Sequence, residues 1–202
     1  MLFLAFNSLA EIKNPSKYRV IDKMSQMAQM KGIGGLGVGN IIFSTQELPY
    51  LNEAGYTDIR DTFYFGEDTS LHARAYHPGT YESMIEKLKS QVPGAEFIKR
   101  FAVLEVFGQV PYQLYAKMSF GNPLDEFADW DQERYDLLPY KGGNEQHFTA
   151  VDLSADIYVS GQEYTVTISS YIQFQTGVNL LTGEGIYTDY LISYGEFKYI
   201  KR

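Results

Sequence analysis

Residues 32–40 read GIGGLGVGN and open on a formal G-x-G-x-x-G. With that spacing a glycine turn can bring backbone N–H groups up to a pyrophosphate. The chemistry needs a strand to deliver the turn and a helix N-terminus to receive the phosphate. Here the order is reversed, because a helical pattern leads in and the strand-like VGNIIFS leads out. The stretch therefore reads as a hinge over 32–40, with Gly32 closing the helix ahead of it.

Metal and nucleophile chemistry find little material. The chain has three histidines, His72, His77 and His147, and no cysteine. That removes disulfides, thiolate ligands and cysteine nucleophiles. His72 and His77 stand five apart in one strand-like run, so they point to opposite faces and cannot share a metal that needs three or four ligands. The expectation is three surface or rim histidines, no metal site and no cofactor. None of G-x-S-x-G, S-x-x-K, H-E-x-x-H or a Walker sequence occurs, and Ser193-Tyr194-Gly195 lacks the leading glycine.

Carboxylates are more abundant. Asp125, Glu126, Asp129, Asp131, Glu133 and Asp136 crowd one irregular stretch, 122–144, but their spacing does not fit a calcium loop. The expectation is a solvated acidic loop. Its one tryptophan, Trp130, is a candidate sugar-stacking platform or a pin holding the loop to the core. Glu105 interrupts an otherwise apolar run and is the candidate buried acid, either raised in pKa or paired with Arg74 or Lys117 across a sheet. A carbohydrate-active hydrolase working through two such carboxylates is an alternative reading.

The aromatic bias comes next. Seventeen Tyr and thirteen Phe stand against the single Trp, a composition that favours sheets. In EYTVTISSYIQFQ, 163–175, Tyr164, Val166, Ile168, Ser170, Ile172 and Phe174 share one face. Thr167, Tyr171 and Gln173 share the other, and with Trp130 they form the candidate ligand-binding set.

The elements that must hold these residues are set by periodicity. Strands are expected over 38–44, 63–65, 71–77, 97–107, 110–120, 147–160, 163–175 and 186–202, the last bent or bulged at Gly195. Tyr81, Met84, Ile85 and Leu88 predict a helix capped by Thr80 and stopped by Pro93-Gly94. A second, methionine-lined helix is expected over 15–31. The fold class is mainly β: an antiparallel β-sandwich or curved sheet of about eight strands with two short peripheral helices. Residues 1–31 read as an apolar start plus that helix, a signal remnant or appendage, and 38–202 as one β-sandwich-like domain.

A formal net charge of −8 repels phosphate backbones and anionic lipid, so no nucleic acid is expected. No run has the roughly 18 apolar residues of a membrane span. Small residues at 8–10 after an apolar run, and a composition like that of exported bacterial accessory proteins, suggest a periplasmic or secreted chain. The run is short and no Lys or Arg precedes it, so a cytoplasmic location is the alternative. The reading is a non-catalytic binding or structural accessory domain with a protein or carbohydrate ligand. It acts through a Tyr-rich sheet face or loops. A carrier of a small apolar ligand, lined by Met84, Leu88, Phe101 and Val103, is the other alternative.

Overall fold

The computed structural model describes residues 32–50, 52–108, 114–120, 124–138 and 158–202. The methionine-lined helix expected over 15–31, the apolar start, His147 and nearly all of the strand expected over 147–160 lie outside them.

The fold is mainly β, and the described residues form a single curled sheet of eight strands. β1 is Gly39–Ser44, β2 Thr62–Tyr64, β3 Leu71–Tyr76, β4 Glu96–Phe107 and β5 Leu114–Phe120. β6 is Gln132–Leu138, β7 Glu163–Val178 and β8 Gly185–Ile200. The order is β5-β4-β7-β8-β1-β3-β6, with β2 added to β8.

Two expectations are corrected here. The sheet is mixed, not antiparallel, because β1 and β2 both run parallel to β8. It is also one hydrogen-bonded sheet and not two stacked ones, and it curls back on itself at β1. Gly39 and Asn40 pair with Ser193 and Tyr194 of β8, and then Ile41 to Ser44 pair with β3. At the point of departure β1 passes so close over Gly195 that a Cβ there would meet the Ile41 carbonyl oxygen at 2.6 Å. A Cβ on Gly39 would stand 1.7 Å from the Tyr76 carbonyl oxygen. Glycine at both positions lets the sheet fold back on itself. The bulge expected at Gly195 lies nearby instead, where Ile192 is left over between the pairs Ser170–Ser193 and Tyr171–Leu191.

The two halves enclose the core. Ile41, Phe43, Leu71, Ala73, Ala75, Tyr135 and Leu137 from the short half meet Leu104, Val106, Val166, Ile168 and Phe197 from the long half. The Phe43 and Phe197 rings lie 4.8 Å apart. β7 supplies this interior with the period-two face read from its sequence: Tyr164, Val166, Ile168, Ser170, Ile172 and Phe174 are all buried.

Of the two expected helices, the one after Thr80 is present, and the one over 15–31 falls outside the described residues. Among the described residues there is one helix of eleven residues, α1 (Tyr81–Gln91), with two short helical turns, α2 (Leu124–Phe127) and a 3-10 turn at Glu53–Gly55. Thr80 caps α1, its hydroxyl accepting the Ser83 N–H at 3.2 Å. Tyr81, Met84, Ile85 and Leu88 pack on Ile172, Phe174, Tyr190 and Ile192 at the end of the long half. That burial is worth about 1.5–3 kcal/mol for each large apolar side chain. The chain leaves α1 through Gly94 at φ 81°.

Candidate functional site

The glycine stretch that opened the sequence folds as a tight turn. Leu36 N–H donates to the Ile33 carbonyl at 3.0 Å, Ile33 bridges Gly37, and Gly35 and Gly37 hold positive φ. Gly32 bridges Leu191, and the Gln91 amide at the end of α1 donates to the Gly34 carbonyl at 2.7 Å. The turn leads directly into strand β1, and the end of α1 that meets it is the C-terminal one.

The densest polar chemistry lies inside the fold. β6 occupies the stretch expected as an acidic loop, and its alternation sends Glu133, Tyr135 and Leu137 inward. Glu133 meets Arg100 of β4 in an ion pair across the interior, its Oε1 also accepting the Tyr81 hydroxyl at 2.9 Å. Its Oε2 accepts the Tyr135 hydroxyl at 2.5 Å. Because Tyr135 spends its proton on Glu133, the Ser170 hydroxyl, 2.8 Å away, donates to Tyr135. The Arg100 guanidinium is caged by rings, its Cζ lying 4.4 Å from the Phe127 centroid, 5.4 Å from Tyr81 and 5.2 Å from Trp130.

This setting shifts the groups it holds. Burial pushes the Tyr81 hydroxyl well above the ordinary tyrosine range and Tyr135 up to about 12. Burial also lowers Arg100 below the usual arginine value.

His77 extends the cluster and corrects the expectation of rim histidines. It is fully buried, with Nδ1 2.7 Å from the Ser193 hydroxyl and Nε2 3.8 Å from Glu133 Oε2. Serine, histidine and glutamate thus stand in the order of a hydrolytic triad. The proton runs the wrong way for that chemistry, since a nucleophilic serine must donate to the imidazole. Ser193 donates instead to the Tyr76 carbonyl at 2.9 Å, so it accepts from His77 Nδ1–H. Ser193 is itself sealed from solvent. The arrangement is a structural tie between β3, β6 and β8. His72, on the other face of β3, is nearly buried against Asp136 at 2.8 Å. Among the described residues no three His, Asp or Glu come together as a metal would need.

The residues singled out from sequence are parted. Trp130, 42% exposed, covers Arg100 on the interior side of the sheet. Thr167, Tyr171 and Gln173 lie on the opposite face of β7. There Thr167 is buried, Tyr171 stacks on Phe101 at 5.0 Å, and the Gln173 amide donates to Asp189 at 2.8 Å. Glu105 shares that face and is half-buried, in register with Tyr115 and Thr167. It raises the pKa of Tyr194, behind burial and the hydroxyl's bond to Glu196. Arg74 belongs to the other half of the sheet, where it donates to the Leu48 carbonyl. The residues expected to line an apolar cavity are separated as well, Met84 and Leu88 under α1 and Phe101 on the outer face.

Strand and helix periodicity pass over one further feature. The β7–β8 turn carries Leu180 and Leu181, 97% and 96% exposed, with half-exposed Val178, Ile186 and Tyr187 behind them. Two leucines between Asn179 and Thr182-Gly183, where turns are normally polar, were the available signal.

Comparison of the chain with known protein families, curated proteins and solved structures finds no match in any of the three.

Proposed function

We propose that the chain is a non-catalytic binding domain whose contact element is the tip of the β7–β8 arm. The observation that carries this reading is the near-complete exposure of Leu180 and Leu181 side by side. Single exposed leucines are ordinary on protein surfaces, but an apolar group of five at a projecting turn is the pattern of an interaction site. Two further observations support it. The buried polar groups are engaged with one another, which leaves their chemistry structural. The Tyr171 face is occupied by the sheet's own contacts with Phe101 and Asp189.

The test is the size at which the tagged chain is recovered from its native cells. The wild-type protein runs in an assembly larger than one chain, and L180D/L181D runs as the lone chain. A variant recovered at the wild-type size overturns the reading.

We also propose an exported, periplasmic or secreted location. N-terminal sequencing tests it: a periplasmic chain beginning after Ala10 supports export, and an intact Met1 in the cytoplasm contradicts it.

A further inference from the structure

Resting on the binding role of the arm, we infer that its partner is a protein with an apolar socket rimmed by lysine or arginine. The arm is built to hold its apolar end away from the body. Glu96 of β4 is in register with Gln175, and beyond that pair the β7–β8 ladder continues through Gly177–Ile186 and Val178–Gly185. At about 3.3 Å per residue the turn stands about 10 Å past the end of β4.

The turn is internally braced. The Asn179 N–H donates to the Glu184 carbonyl at 2.8 Å, and the Gly183 N–H to the Asn179 carbonyl at 2.7 Å. The Asn179 side chain accepts the N–H groups of Leu181 and Thr182 at 2.9 and 3.3 Å. The polar residues of the turn are therefore used on the turn itself, and the leucines point outward already ordered. A preorganised apolar pair loses little freedom on docking, which suits insertion into a pocket.

Charge selects the kind of pocket. Between His147 and Lys198 the sequence has no lysine, arginine or histidine. The ionisable side chain closest to the leucines in the turn is Glu184, on a chain of net charge −8. Asp189 stands at the base of the arm, in register with Gln173, with Lys99 of β4 on the far side of that glutamine. An anionic lipid surface repels such an arm. A second copy brings the same acid and the same net charge of −8 to the tip, so like charge meets like. A deep socket taking two leucine anchors, with cations around its mouth, meets both requirements.

The test places a photoreactive benzophenone amino acid at Tyr187 in the full chain, irradiates native cells and maps the crosslinked peptides. The expected product is one protein, joined at an apolar segment flanked by Lys or Arg. Its yield falls at least tenfold with L180D/L181D and severalfold with E184Q, while both variants melt as the wild type does. A leucine-dependent crosslink to lipid, to this chain itself or to a segment without basic residues overturns the inference and leaves the arm as a binding element. Crosslinks indifferent to L180D/L181D overturn both.

Discussion

Arg100 and Glu133 show how a buried charge is held. Removing one member leaves the other desolvated and unpaired, a change that costs about 3–5 kcal/mol, whereas replacing both with apolar side chains is often close to neutral. Urea unfolding is therefore expected to find R100M destabilised by about that amount and R100M/E133L far less affected. Equal losses in the two variants would mean that the pair is more than a structural tie. Tyr135 sets a pH limit. Its hydroxyl is held neutral up to about 12, while in the unfolded chain it ionises near 10, so above pH 10 the unfolded state binds fewer protons. Stability attributable to Tyr135 is present in full below pH 10 and is lost as the pH rises toward 12. The loss is about 2–3 kcal/mol, and Tyr81 adds to it in the same direction. Denaturant midpoints between pH 9 and 12 are expected to fall less steeply in Y135F than in the wild type. At this scale the sequence was hard to read. Glu105 stands in an apolar run, yet it faces outward at half-burial. Glu133, the carboxylate that is buried, was hidden among acidic neighbours, and its inward direction emerges only once residues 132–138 are known to be a strand.

At the scale of elements, β4, β7, β8 and α1 were legible because their patterns are long and regular, and Thr80 and Gly94 act at the ends of α1 as helix signals should. β6 was not legible, since QERYDLL carries three charges in seven residues and reads as loop. Its alternation is visible only through Glu133, Tyr135 and Leu137, and a glutamate counts as polar until its partner is seen. The crossing of β1 over β8 was also invisible, because nothing local marks a glycine as the point where two backbones meet. It is testable: G195A is expected to lose about 1–3 kcal/mol in urea unfolding, and G39A more, as its Cβ would overlap the Tyr76 carbonyl oxygen at 1.7 Å where that of residue 195 would meet the Ile41 carbonyl oxygen at 2.6 Å. An alanine tolerated at both positions without loss would contradict the packing described for the fold of the sheet.

At the scale of the molecule, the curled sheet makes two regions with different duties. The interior joins the halves through the ion pair, Tyr135–Ser170 and His77–Ser193, while the arm projects an apolar end that the fold does not use. The class was predicted from composition and strand count, and the mixed pairing was not, since the parallel neighbours of β8 come from strands more than a hundred residues away in the chain. The central claim, that function resides in the arm and not in the interior, is tested most directly by comparing two variants in the native cell. R100M/E133L is expected to be recovered in the wild-type assembly, and L180D/L181D, with an unchanged melting temperature, as a lone chain. The opposite pattern, an assembly indifferent to the leucines and lost with the folded interior variant, would contradict it.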